Sequence, residues 1–433
     1  MKIPNECDIV VIGGGPAGSL AATFLSQNGY HVVLLEKAKH PRPHVGESLI
    51  PHFWKYCDSA GVSDKIAAEG FLGKAGGTIF WNDKVQQFSF LEFGYTRPAL
   101  HVERDRFDQI ILENAREKGA QIFEEVAVLD VKFSDDVGGK QTVNYRFLPD
   151  KTLGTINCQF VVDASGQNSV VAKQLGCRVF DESFRFMSMW GYFKNSKYMG
   201  CDGKAHPRDD LSKVPMTTLI CSIPGTGDWG WSWHIPLRER TSVGLIFPHE
   251  FIKAAKRSGE SSKSFFLRQC YDHKILSQML ETAQYCEGSF GKIQDYSYRS
   301  TQIAGSGFFL IGDAAGFVDP IFSVGMTFGM YSASLVAWAI DRCLKKPQSC
   351  IQTQALFSHQ LQGRLEVSRS LALPHYLSES QASELAKKAI QFESGVEQEL
   401  MSFVSTILAR GDNFKDLIAV EKQEQSDNLT VIR

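Results

Sequence analysis

Gly13-Gly14-Gly15-Pro16-Ala17-Gly18 follows the apolar run Ile9-Val10-Val11-Ile12 and precedes a stretch of helical composition. Glycines at 13, 15 and 18 have the spacing of a phosphate-binding turn. The first permits the tight turn, the second lets the backbone approach a pyrophosphate, and the third lets helix and strand pack closely. Unpaired N–H groups and the dipole at the helix N-terminus then favour the anion. Glu36 stands about 20 residues on, where a carboxylate accepts hydrogen bonds from both ribose hydroxyls and disfavours a 2′-phosphate. A chance glycine cluster is the alternative. Strand, helix, second strand and acid all fall in place, so the pattern points to a dinucleotide.

The same glycine spacing returns at Gly225, Gly227 and Gly230. Here Trp231-Ser232-Trp233-His234-Ile235-Pro236 follows, which is strand-like and ends in proline, so a hairpin turn is expected and no second nucleotide site. Trp231, Trp233 and Ile235 alternate and would share one face of a strand. Their plain reading is a bulky apolar face on the core, and His234 then points the other way, structural or on the surface. Phe317-x-x-Pro320-x-x-Ser323-x-Gly325 reads as a loop entering a helix. The N–H groups of Val324 and Gly325 can hold a small anion there; the rival reading is a plain helix entry with Ser323 as its cap. Lys74 sits among glycines in Gly70-Phe71-Leu72-Gly73-Lys74-Ala75-Gly76-Gly77. An isolated lysine is usually a solvated surface group, whereas a partly buried one has a lowered pKa. His40 and His44 have i,i+4 spacing, but Pro41 and Pro43 forbid the helix that would make a metal site of them. No GxSxG elbow supports acyl transfer.

The elements that carry these residues have clear signatures. Asp8–Ile12, His31–Leu35, Phe160–Gly166, which ends in a turn, and Phe308–Asp313 carry the apolar runs expected of strands buried on both faces of a parallel sheet. Helices are expected around 19–28, 53–60, 64–69 and 104–118, the last with Phe107, Ile110, Ile111 and Leu112 on its apolar side. Residues 127–148 are strand-like. Residues 180–247 are rich in aromatic strands with turn punctuation, so a mostly antiparallel sheet is expected there. Residues 352–417 suit helix, and 422–433 are polar and frayed.

Composition narrows the function further. The chain has 433 residues, 43% hydrophobic and 22% charged, with 46 Lys+Arg against 48 Asp+Glu. That is a globular composition with no basic excess for nucleic acid. The ten cysteines include no CxxC pair, which excludes a zinc ribbon and suits free thiols in the cytoplasm. The first eight residues lack the apolar stretch of a signal peptide. The charge-free run 320–340 is too polar and glycine-rich for a transmembrane segment, and its second half is read as a buried helix.

Arg104, the Phe107-Asp108 pair, the Asp163-Ala164-Ser165-Gly166 turn and Gly312-Asp313-Ala314-Ala315-Gly316 together resemble the glutathione-reductase-type FAD fold, over most of residues 5–340. Trp231-x-Trp233-x-Ile235-Pro236 and Phe317-x-x-Pro320-x-x-Ser323-x-Gly325 resemble two signatures of the flavin-dependent halogenases, and Lys74 resembles the lysine those enzymes use. The resemblance implies that FAD is held by Gly13, Gly15, Ala17, Gly18, Glu36, Lys37, Ser48, Arg104, Asp313, Gly325 and Met326, with Asp313 on the ribityl chain. It implies halide at Val324 and Gly325, catalytic roles for Lys74 and Ser323, and Trp231, Trp233 and Phe322 at the flavin–substrate boundary. Reduced FAD would take up O2 as a C4a-hydroperoxide. Chloride or bromide would attack its distal oxygen, and Lys74 would pass the hypohalous acid to an aromatic ring as a chloramine or by hydrogen bonding. With no second nucleotide motif, a separate NAD(P)H flavin reductase would supply FADH2.

One departure is informative. The tryptophan halogenases carry Glu immediately before the motif serine, where this chain has Phe322. That resembles the branch acting on phenols and pyrroles, often tethered to a carrier protein, and weakens a claim for free tryptophan. The expected fold is thus α/β: a Rossmann-like FAD domain from residues 1–175 and 295–345, an inserted, mostly antiparallel β substrate domain at 176–294, and a helical region at 346–433. Two rivals share parts of this pattern. An aromatic hydroxylase would oxidise NAD(P)H unaided, and a flavin-binding interaction protein would have lost turnover.

Overall fold

Ile9–Ile12 is buried along its whole length and lies inside a six-stranded sheet. The order is Ala304–Gly305, Phe308–Leu310, Phe160–Asp163, Ile9–Ile12, Val32–Leu35, Gln121–Phe123. The first pairing is antiparallel and the rest are parallel. A parallel sheet covered on both faces needs apolar side chains on both, which explains why these strands carry no alternation. The structure is a computed structural model that describes residues 2–81, 84–136, 138–182, 185–226, 230–256 and 259–372. The expected helices beyond residue 372 and the frayed end at 422–433 lie outside the described residues.

Pro16–Gln27 and Gly325–Lys345 pack closely at the glycine turn. A Cβ at Gly329 would stand 3.3 Å from the Cβ of Ala17, and one at Gly312 would stand 3.2 Å from it. Gly325–Lys345 is the buried helix expected in the charge-free run, and no described helix is long and apolar enough to cross a membrane. Arg104–Glu117 buries the apolar side that its periodicity marks. Val126–Lys132, Gln141–Phe147 and Leu153–Cys158 form a separate antiparallel sheet.

The aromatic strands build a nine-stranded sheet. Phe186–Lys194, Thr241–Pro248, Trp231–Pro236 and Met216–Ser222 run in that order with antiparallel pairing. This sheet is not confined to 176–294. Leu72–Trp81 adds to it in parallel beside Met216–Ser222, and Lys84–Ser89 and Ala99–His101 pair with Leu72–Trp81 in turn. Lys74 is therefore on a strand, which its glycine-rich surroundings do not signal. Gly76 and Gly77 make room for Phe88 on the neighbouring strand: a Cβ at Gly76 would lie 1.9 Å from its carbonyl oxygen and one at Gly77 2.5 Å from its ring. The strands that flank the second glycine pattern, Met216–Ser222 and Trp231–Pro236, pair antiparallel with Ser222 opposite Trp231, and the Gly230 N–H bonds Thr226 Oγ1; Gly227 lies outside the described residues.

Candidate active site

Gly13 adopts φ +104°, in the left-handed region that glycine tolerates. A Cβ at Gly18 would stand 2.0 Å from the Gly13 carbonyl oxygen, so the third glycine sits where strand and helix nearly touch. Glu36 ties the turn to the next strand: Oε2 accepts the Gly14 N–H at 2.5 Å and Oε1 the Ala38 N–H at 2.8 Å. In front of the turn opens a cavity of about 1210 Å³, lined here by Gly13, Gly15, Ala17, Glu36 and Lys37. Gly18 lies behind that wall.

Arg42 and Arg104 bring positive charge to the same wall. Arg104 is buried, donates to both Asp108 oxygens at 2.8 and 3.0 Å, and reaches the Val45 carbonyl at 2.5 Å. That last bond fixes the loop carrying Glu47 and Ser48. Arg42 pairs with Asp108 at 3.5 Å and lies 3.5 Å from where a Gly15 Cβ would be. Asp313, on the turn Gly312–Ala314, lines the opposite side together with Gly325 and Met326. Burial pushes its pKa up to about 6, against the pull of Arg104.

Ser323 and Lys74 meet at Ser48. Ser323 follows the short turn Pro320–Phe322 and adopts φ 57°, unusual for a residue with a side chain. It does not cap the following helix, whose N-cap is Val324. Its Oγ instead donates to Ser48 Oγ at 3.1 Å. Lys74 Nζ donates to the same Ser48 oxygen at 2.8 Å and to the Leu49 carbonyl at 3.1 Å. Ser48 and Ser323 line the cavity, and Lys74, only 3% exposed, lies one hydrogen bond behind them. Burial lowers its pKa to about 7. The ladder of Gly325–Lys345 opens with Phe328 N–H on the Val324 carbonyl, so the N–H groups of Val324 and Gly325 precede it. Gly325 lines the cavity and Val324 does not.

Trp231 and Trp233 also line the cavity, their ring centroids 5.9 Å apart. Gly244 faces Trp233 across the sheet, and a Cβ there would stand 2.0 Å from the indole. Phe322 is buried in the apolar cluster of these tryptophans with Ile50, Phe90 and Val367. His234 is not on the surface; it is wholly buried against Ser196 at 2.7 Å, and burial lowers its pKa to about 3. His40 pairs with Glu124 and His44 with the Val45 carbonyl, and no group of three metal-binding side chains occurs among the described residues.

Four residues at this site escaped the sequence reading besides Arg42's charge. Glu47 lines the cavity beside Ser48; Tyr192 OH donates to it at 2.8 Å, and burial raises its pKa. Thr218 Oγ1 lies 3.0 Å from Ser48 Oγ and 2.7 Å from His101 Nε2. A carboxylate between Gly46 and Ser48 was the available signal for Glu47; the others have none in local sequence.

The donor set suits a flavin dinucleotide. A glycine turn at a helix N-terminus, a ribose carboxylate, two arginines and a cavity larger than a drug-sized site all converge. Residues 6–353 match the FAD binding domain family. The chain is 35% identical over 346 residues to a tryptophan 2-halogenase of Chondromyces crocatus, covering 78% of this chain and 62% of that one. It is 33% identical over 368 residues to the flavin-dependent halogenase armH1 of Armillaria mellea, covering 81% and 68%. The structure of the myxobacterial chondrochloren halogenase CndH matches with a TM-score of 0.77 at 29% identity, over 94% of this chain and 97% of that one.

Proposed function

The chain belongs to the flavin-dependent halogenase family, enzymes that bind FAD, and on that premise we propose that it halogenates an electron-rich aromatic ring through Lys74. The observation that carries this reading is the buried amine one hydrogen bond behind the cavity wall. FAD, reduced by a separate NAD(P)H flavin reductase in the cytoplasm, supplies the means of activating O2 to oxidise chloride or bromide to hypohalous acid.

The chain's own residues do the rest. The N–H groups of the glycine turn hold the pyrophosphate, with Arg42 and Arg104 balancing its charge. Glu36 spends one lone pair of each oxygen on Gly14 and Ala38 and keeps others for the ribose hydroxyls. Asp313 accepts from the ribityl chain. Val324 and Gly325 present N–H groups to the halide. Lys74 binds or polarises hypohalous acid, and a pKa of about 7 keeps both its amine and ammonium forms within reach. Trp231 and Trp233 keep water from the oxidant. Phe322 leaves no carboxylate at its position to take a ring proton, which favours a phenol or pyrrole, free or tethered to a carrier protein.

The test is to combine the protein with FAD, a flavin reductase, bromide or chloride, and a phenol or pyrrole offered free and on a carrier. Product bearing halogen supports the reading. A hydroxylated product, or none with any ring, contradicts it.

A further inference from the structure

We propose that Thr218 and His101 are positioning residues for Lys74. In this reading the chain Lys74–Ser48–Thr218–His101 holds the amine as a donor in two directions and leaves its third direction for the oxidised halogen. The inference rests on the halogenase reading above and adds two residues to it.

The chain is continuous and buried. Lys74 Nζ to Ser48 Oγ is 2.8 Å, Ser48 Oγ to Thr218 Oγ1 is 3.0 Å, and Thr218 Oγ1 to His101 Nε2 is 2.7 Å. All four residues are buried, His101 completely. The sheet fixes their places. Lys74 is on Leu72–Trp81; Thr218 sits on the parallel neighbour opposite Gly77, and His101 on the antiparallel neighbour opposite Leu72. A bridge between Ser48 and His101 ties the loop to the same edge.

Counting protons sets the direction of the chain. A hydroxyl has one proton and two lone pairs. Ser48 Oγ accepts from Lys74 and from Ser323, so its proton goes to Thr218. Thr218 then gives its own proton to His101 Nε2. That requires a neutral ring with the proton on Nδ1; the Pro236 carbonyl acts on the ring, but no hydrogen bond to the buried Nδ1 closes, so the tautomer is part of the proposal. Burial keeps the ring neutral. Without an acceptor at the far end, the Ser48 proton is free to turn onto the neutral amine and occupy its lone pair. With it, Nζ spends two N–H bonds on Ser48 and the Leu49 carbonyl. The remaining lone pair, or the third N–H of the ammonium form, faces hypohalous acid.

The test compares wild type, Thr218→Val and Thr218→Ser as holoenzymes. Thr218→Val keeps the shape and breaks the chain; Thr218→Ser keeps the hydroxyl. Halogenated product per flavin reoxidised should fall by about tenfold or more in Thr218→Val and return toward wild type in Thr218→Ser, with reoxidation unchanged. Nitrogen-15 histidine spectra give a readout independent of turnover. His101, assigned by its loss in His101→Asn, should be protonated at Nδ1, with an Nε2 signal that shifts in Thr218→Val and not in Thr218→Ser. A ring protonated at Nε2, or a Thr218→Val enzyme that halogenates as wild type does, overturns the proposal alone. Wild type that makes no product with any halide or ring overturns the halogenase reading and the proposal with it.

Discussion

The amine of Lys74 stands 2.8 Å from the hydroxyl of Ser48, and Ser48 faces the large cavity while Lys74 does not. The lysine is therefore withdrawn from the space that suits the dinucleotide and joined to it through one side chain. Such a place keeps water away from the amine and makes its charge costly.

That cost is measurable as stability. The Lys74 pKa falls from 10.5 to about 7 through burial. The unfolded chain then holds the proton more tightly than the folded one. The cost is full below about pH 7 and fades as pH rises toward 10.5. At about 1.4 kcal/mol per pKa unit it amounts to a few kcal/mol, offset in part by the bonds to Ser48 and Leu49. Lys74→Met should raise the melting temperature at pH 7, with a net gain of about 2 kcal/mol that shrinks at higher pH. Thermal unfolding at both pH values checks this, and a lower melting temperature at pH 7 would contradict it.

Glu36→Ala should weaken FAD binding. The substitution removes a charged ribose acceptor and also releases the Gly14 N–H. Hydrogen bonds to charged groups contribute about 1.5–3 kcal/mol, so affinity should drop by at least about tenfold. Calorimetric titration showing unchanged affinity would remove Glu36 from the cofactor site.

Gly244→Ala should displace Trp233. The new Cβ would stand 2.0 Å from the indole, which also donates to Ser242 Oγ at 3.2 Å. Overpacking of this kind costs about 1–3 kcal/mol. A lower melting temperature and less halogenated product per flavin are expected. An unchanged melting temperature would mean that the sheet absorbs the methyl group.

The purified protein should not consume NADPH without a reductase. The second glycine pattern falls between Met216–Ser222 and Trp231–Pro236, which are antiparallel neighbours in the sheet. Following NADPH absorbance with FAD and a phenol present tests this, and oxidation that depends on the phenol would favour a hydroxylase.

The glycine turn, Glu36 and the Arg104–Glu117 helix are legible in the sequence because their signals are local: an unbroken apolar run, fixed glycine spacing, one apolar helix side. Leu72–Trp81 is hidden because Gly73, Gly76 and Gly77 interrupt any strand pattern, and the reason for Gly76 and Gly77 is Phe88 on the neighbouring strand. Lys74 is found by resemblance, but its partners are not. Ser48 and Thr218 are 170 residues apart, and His101 and Thr218 are 117 apart. Hydrogen bonds over such separations leave no periodic trace. Glu47 is buried through Tyr192, 145 residues away, which local sequence does not reveal.

The most direct test of the central claim is Lys74→Ala, with halogenated product and flavin reoxidation read in the same samples. FAD binding and reoxidation should stay near wild type, because the cavity wall at Gly13, Glu36, Arg104 and Asp313 is untouched. Halogenation should fall by several orders of magnitude. A variant that halogenates within about tenfold of wild type, only about 1.4 kcal/mol in barrier, would contradict the account and place the chemistry elsewhere.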